Sequence, residues 1–212
     1  MLDPGRLRFL TTNYGTLQGL KQIPLGLLAM LVVQWAGVQH GPATDLTVPV
    51  IGLLVAPVLY SVIDRYYRRL FGHVRLSRAA RLHEGLGWAV AGLLALAGFW
   101  ADATLKWPVS GLGLCVAVAT GADYLRMGWL SGGNWRAYPS PLFTIGALVV
   151  TSLVSKGWIL GIEWWRPFGL TNPLYATVWL IGLLGILQGV WSHMYLTEQL
   201  SPEAGSPHGH AA

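Results

Sequence analysis

Charge is scarce in this chain. Asp, Glu, Lys and Arg make up 11% of its 212 residues, against about 25% in an average soluble domain. A soluble fold of this length needs charged residues along the outer face of every element. Here 53% of the residues are hydrophobic and the charges cluster between apolar blocks, which excludes an ordinary soluble domain and points to a polytopic membrane protein. Cysteine is almost absent: Cys115 stands alone inside an apolar run, so no intrachain disulfide can form. The motifs of common enzymes are missing as well. There is no phosphate-binding G-x-x-x-x-G-K-[ST], no H-E-x-x-H, no G-x-S-x-G and no C-x-x-C. Of the histidines only His208 and His210 lie close together, in a polar tail, so no metal or other cofactor is expected. The centres of the apolar runs lack Asp, Glu, Lys, Arg and His, which argues against a proton pump with a buried carboxylate relay.

What is present is a series of six apolar runs. A spanning helix needs about 20 mostly apolar residues, and the runs cover approximately 22–38, 46–62, 85–101, 107–122, 139–158 and 173–195. The first is followed by further runs and lacks a small-residue cleavage site, so it reads as a retained span rather than a leader. The fold class is therefore all-α: six transmembrane helices in a compact bundle. Residues 1–21 form an N-terminal segment, 22–196 the transmembrane domain and 197–212 a disordered cytoplasmic tail rich in Pro, Gly and Ser.

Residues 63–84, a basic loop between the second and third runs, set the orientation. Lys and Arg accumulate on the cytoplasmic side of membrane proteins. With this loop inside, Arg6, Arg8, Lys21, Arg65, Arg68, Arg69, Arg75, Arg78, Arg81, Arg126 and Arg136 face the cytoplasm. Only Lys106, Lys156 and Arg166 face out. An even number of spans with both termini cytoplasmic produces that bias. The tryptophans agree, because none falls at the centre of a run, as expected of aromatic belts at the two interfaces. The net charge of +5 is thus topological and implies no nucleic-acid partner. The expected location is the inner membrane of a bacterium.

Small residues suggest how the helices pack. Gly52 and Ala56, then Gly87, Ala91 and Ala95, then Gly113, Ala117 and Gly121, then Gly185 and Gly189 recur at four-residue spacing, each set on one helical face where backbones can approach. Gln34 and Gln188, the large polar side chains inside runs, read as bonds between helices. Leu7, Leu10, Tyr14 and Leu17 share a face beside Arg6 and Arg8, the pattern of a helix lying in the inner interface.

Two boundary clusters are candidate sites. On the inner face Asp64, Arg65, Arg68, Arg69, Asp123, Arg126 and His193 could hold a ligand or a lipid headgroup, since Arg pairs with phosphate and the basic residues attract anionic headgroups. On the outer face Glu163, Trp164, Trp165 and Arg166 form a candidate recognition surface, aromatic and Arg side chains being frequent binding anchors. The expected partners are a bilayer with anionic headgroups at the inner face and either a membrane protein or a second copy of the chain. The leading functional expectation is a non-enzymatic accessory, scaffold or sensory subunit. The alternatives are a facilitator for a small or lipid-like molecule and a membrane enzyme acting on lipid headgroups through Asp64, Asp123 or His193.

Overall fold

Proline punctuates the helix starts. Its missing N–H costs nothing in a first turn, where backbone donors have no intrahelical acceptor. In a computed structural model describing residues 9–38, 47–71, 78–105, 107–130, 138–154 and 173–200, Pro24, Pro49, Pro141 and Pro173 all lie within three residues of a helix start. The long helices are α1 (Gln22–Val38), α2 (Thr47–Phe71), α3 (Arg78–Thr104), α4 (Gly111–Leu130), α5 (Ser140–Leu153) and α6 (Pro173–Leu200). A short helix, Tyr14–Leu17, and a 3-10 turn, Gly19–Lys21, precede α1. No strand occurs among the described residues.

Each predicted run is met by a helix, but the boundaries differ. The basic stretch read as a loop is helical apart from 72–77, which lie outside the described residues. Arginine is a good helix former, and Arg68 and Arg69 occupy the last turn of α2, where cations complement the helix dipole. Hydropathy marks the apolar part of such a helix and misses its charged end. Helix α6 likewise runs on through residues 197–200, into the stretch expected as tail.

Four stretches are long and apolar enough to cross a membrane: Gly19–Ala36, Val50–Phe71, Gly85–Thr104 and Leu174–Leu200. Two helices fall short of the expectation. The 14 residues of α5 extend roughly 21 Å at 1.5 Å each, less than a hydrocarbon core of about 30 Å. Helix α4 has 20 residues but carries Asp123 and Arg126 in its second half. Exposed Leu, Val, Ile, Phe and Trp side chains cover these helices, an apolar surface that water would not tolerate. The helices belong in a membrane.

Neighbouring helices pack in the order α2, α1, α6, α5, α4, α3, and the residue pairs across each contact run antiparallel. Helix α1 packs most extensively on α6, α3 on α4, and α4 on α5. Helices α2 and α3 make at most marginal contact with each other.

The packing of α1 and the 3-10 turn before it against α6 rests on glycines seven residues apart. Gly26 meets Gly182 and Gly19 meets Gly189. A Cβ added at Gly26 would stand 2.5 Å from the Gly182 carbonyl oxygen, and one at Gly182 would stand 2.7 Å from that of Gly26. The four-residue reading needs correction here. Gly189 lies in the seam, but Gly185 and Gly87 face open space. Gly113 does sit tightly against Ser152, whereas Gly121 has only an ordinary contact with Ile145.

The far end of α3 is tied to the start of α4. Asp102 accepts hydrogen bonds from Gly111 N (2.7 Å), Leu112 N (3.1 Å) and Ser110 Oγ (2.9 Å). Ser110 Oγ in turn accepts from Gly113 N at 3.1 Å. One carboxylate and one hydroxyl thus satisfy the first-turn donors of α4, the position where a helix favours negative charge.

Candidate functional site

At the opposite, basic end, residues 9–21 fold under the helices. Phe9, Leu10, Tyr14 and Leu17 are buried in one cluster with Tyr67, Met127, Tyr138 and Leu196, and Leu200 packs against it. The apolar face read at Leu10, Tyr14 and Leu17 is therefore covered by protein. Sequence alone could not separate the two cases, because a lipid surface and a bundle end demand the same amphipathic pattern. Leu7, Arg6 and Arg8 lie outside the described residues.

Tyr67 is the hub of this end and is fully buried. Its hydroxyl accepts from Leu20 N (3.2 Å) and lies 3.0 Å from His193 Nδ1. The Tyr67 hydroxyl thus bridges the backbone of the N-terminal segment and the imidazole of α6. Tyr14 donates to the Tyr67 carbonyl at 3.4 Å. One side chain of α2 thereby joins α6 and the N-terminal segment. Burial raises the Tyr14 pKa; a Gln18 hydrogen bond opposes the rise and the Asp64 charge adds to it.

One turn back on α2, Asp64 binds Lys21 Nζ at 2.6 Å through one carboxylate oxygen and Arg68 at 2.5 Å through the other. Lys21 also lies over the Tyr60 ring, 4.7 Å from its centroid. Arg65 and Arg69 are exposed on the same helix. On α4, Asp123 pairs with Arg126 at 2.6 Å and 2.9 Å.

A second polar group lies between α5 and α6. Gln188 Nε2 donates to Tyr138 Oη (2.8 Å) and Ser140 Oγ (2.9 Å), and its Oε1 accepts from Thr144 at 2.8 Å. Ser192 bonds Tyr138 Oη as well. All of Gln188's side-chain polar atoms are engaged, as the reading of this residue as a bond between helices expected. Burial raises the Tyr138 pKa, and the hydrogen bonds to Ser140, Ser192 and Gln188 only partly offset it. The group remains a neutral phenol at physiological pH.

The inner-face candidates thus divide. Asp64, Arg68 and His193 come together around Lys21 and Tyr67, while Asp123 and Arg126 pair with each other on α4 rather than with Asp64 or His193. A single pocket of Asp64, Asp123 and His193 does not follow from these contacts. Glu163, Trp164, Trp165 and Arg166 lie outside the described residues. Sequence reasoning missed Tyr67, Tyr138 and Asp102, and it treated Lys21 only as a unit of charge. The sole signal for Tyr67 in the sequence is the helical face that its spacing shares with Leu70, Phe71 and Val74. Among the described residues no three His, Cys, Asp or Glu side chains are grouped to hold a metal. No protein-family model matches the chain, and no curated protein or solved structure does either.

Proposed function

We propose that this chain is a six-span protein of a bacterial inner membrane, with both termini in the cytoplasm, and that it serves as a non-enzymatic accessory or scaffold subunit of a membrane assembly. The orientation draws support from the clustering of Phe9 and Leu200 at one end, the end that also carries Lys21, Arg68 and Arg126. Helices α4 and α5 are short, but they form an antiparallel pair. That pairing returns the chain to the side from which it entered, so the termini stay on one side.

The observation that carries the functional reading is the state of the chemical groups at the basic end. Both oxygens of Asp64 are bound by cations, Asp123 is held by Arg126, and His193 Nδ1 faces the Tyr67 hydroxyl. A catalytic acid or base needs to reach a substrate proton; Asp64 instead ties α2 to Lys21, His193 meets Tyr67 of α2, and Asp123 is held within α4 by Arg126. A facilitator needs polar side chains along a path between spans, yet those between α5 and α6 are bonded to one another. What remains available is surface: α2 and α3 have only 6% of their most apolar stretches buried, against 22% in α6.

Two measurements test this. With Cys115 replaced by Ala, a single cysteine at Ser77 is expected to resist an impermeant thiol reagent in intact cells and to react after permeabilisation; labelling in intact cells inverts the topology. Photo-crosslinkers at Leu93 and Leu96 of α3 are expected to give a discrete protein adduct in native membranes. Adducts with lipid alone, from these positions and from Leu54 and Val58 of α2, would remove the accessory-subunit reading.

A further inference from the structure

The basic end of α2 carries a recess that its structural role does not account for. It holds about 470 Å³ and is lined by Tyr60, Ser61, Asp64, Arg65 and Arg68. Lys21 borders it from the N-terminal segment through its contacts with Asp64 and the Tyr60 ring. Three cations therefore surround one carboxylate, leaving a local charge of plus two. An ammonium has three N–H donors and a guanidinium five, so Lys21 and Arg68 keep donors beyond those that Asp64 binds. Arg65 makes no ion pair among the described residues. In effect Asp64 acts as a clip: it holds Lys21 and Arg68 on either side of itself and orders two flexible side chains.

The position of the recess narrows the ligand class. The exposed apolar side chains Leu54 and Val58 lie seven residues before Ser61 and Arg65 on the same side of α2, so one face of the helix passes from a lipid-compatible surface to a cluster of cations. A soluble phosphate would need only the cations. A phospholipid uses both, with its phosphate among the arginines and its acyl chains along α2.

We propose that the recess formed by Lys21, Tyr60, Ser61, Asp64, Arg65 and Arg68 binds the phosphate of an anionic phospholipid. This rests on the membrane reading above but not on orientation or on any protein partner. It also restricts the seven-residue inner-face set: Asp123, Arg126 and His193 lie outside the site, and so does Arg69, exposed on α2 yet not lining the recess.

The test uses the full chain, purified in an uncharged detergent and titrated with phosphatidylglycerol, phosphatidylcholine or glycerol phosphate, with bound lipid counted by native mass spectrometry. Phosphatidylglycerol is expected to bind more tightly than phosphatidylcholine, whose quaternary amine adds positive charge to a positive recess. Arg65→Gln is expected to weaken phosphatidylglycerol binding on the order of tenfold, the loss of one charge-assisted hydrogen bond, while Arg69→Gln changes it less than about twofold. Arg65→Lys keeps the charge without the planar fork and is expected to fall between wild type and Arg65→Gln. Equal losses at positions 65 and 69 would mean diffuse attraction to the whole basic end and overturn the proposal. Glycerol phosphate competing as well as the intact lipid would assign the recess to a soluble phosphate and overturn the lipid reading. Lipid-free melting temperatures equal to wild type show that the variants are folded; if Arg65→Gln melts early, the Arg65→Lys and Arg69→Gln pair still decides.

Discussion

Two pairs of helices in this protein have similar hydropathy and opposite circumstances. Helix α1 and the 3-10 turn that leads into it meet α6 backbone to backbone across Gly19, Gly26, Gly182 and Gly189. Helices α2 and α3 follow one another in the chain and scarcely touch. Both pairs would score as membrane spans, so the difference cannot come from apolar content. It comes from where small residues fall. Lipid chains are as apolar as leucine, so no hydrophobic drive brings helices together in a bilayer, and close approach must supply dispersion and weak Cα–H contacts instead. Gly182 and Gly189 on α6, facing Gly26 of α1 and Gly19 of the turn before it, permit that approach. Helix α3 also has glycines, but Gly85, Gly87 and Gly92 have no neighbour within 4 Å. A small residue is an opportunity for packing that only a matching surface realises.

The sharpest way to break this comparison is to place the same side chain in both regions. Gly26→Leu drives a branched side chain into the Gly182 backbone, where nothing flexible can yield. It is expected to lower stability in detergent by about 3 kcal/mol or more, at or above the upper end for overpacking. Gly92→Leu on α3 is expected to be neutral or slightly stabilising, since it adds helix propensity in open space. Equal losses at the two sites, in reversible denaturant titrations, would show that the glycine seam does not hold α1 against α6.

Much of this architecture was legible beforehand, and the failures have physical causes. Six helices could be counted because apolar run length is a direct demand of the bilayer. Their charged ends could not, because Asp64 to Phe71 continue α2 after hydropathy has fallen. Scanning for small residues every four positions found Gly113 and Gly189 but missed Gly19 and Gly26, because their spacing is seven, a step that returns to the same helical face more closely than four does. The candidate site was legible in part. Asp64, Arg68 and His193 were singled out from their position at helix ends. Nothing local showed that Tyr67 would reach His193 across 126 positions, or that Asp102 would cap a helix beginning nine residues later.

A smaller effect sharpens the comparison within α2 itself. Tyr66 and Tyr67 are adjacent, but Tyr66 is exposed and Tyr67 is buried. Tyr67→Phe keeps the ring and removes the hydroxyl, so Leu20 N–H loses its acceptor and His193 Nδ1 its hydroxyl partner. A loss of about 1–2 kcal/mol is expected, the usual result of leaving a buried group unpaired. Tyr66→Phe is expected to change stability by less than about 0.5 kcal/mol, as surface substitutions do. If the two variants unfold alike, Tyr67 is not what ties α2 to α6 and to the N-terminal segment.

The smallest expected effect bears on what covers α2 and α3. Leu54 and Leu93 are exposed on these helices, at 68% and 67% of their full accessible surface. In a soluble protein, truncating an exposed leucine matters little because water already surrounds it. In a membrane the reason differs: lipid fills the space the side chain leaves, and a leucine–lipid contact exchanges for a lipid–lipid contact of similar strength. Leu54→Ala and Leu93→Ala are therefore expected to shift the stability of the purified chain by less than about 0.5 kcal/mol. In native membranes the accessory-subunit reading makes a different demand. A helix packed against these positions loses dispersion contacts that lipid restores only in part, so the Leu93→Ala chain should exchange from its assembly faster than wild type while its own unfolding is unchanged. Equal exchange rates for Leu93→Ala and wild type would leave α3 facing lipid at this position, and the partner would have to be sought elsewhere on the molecule.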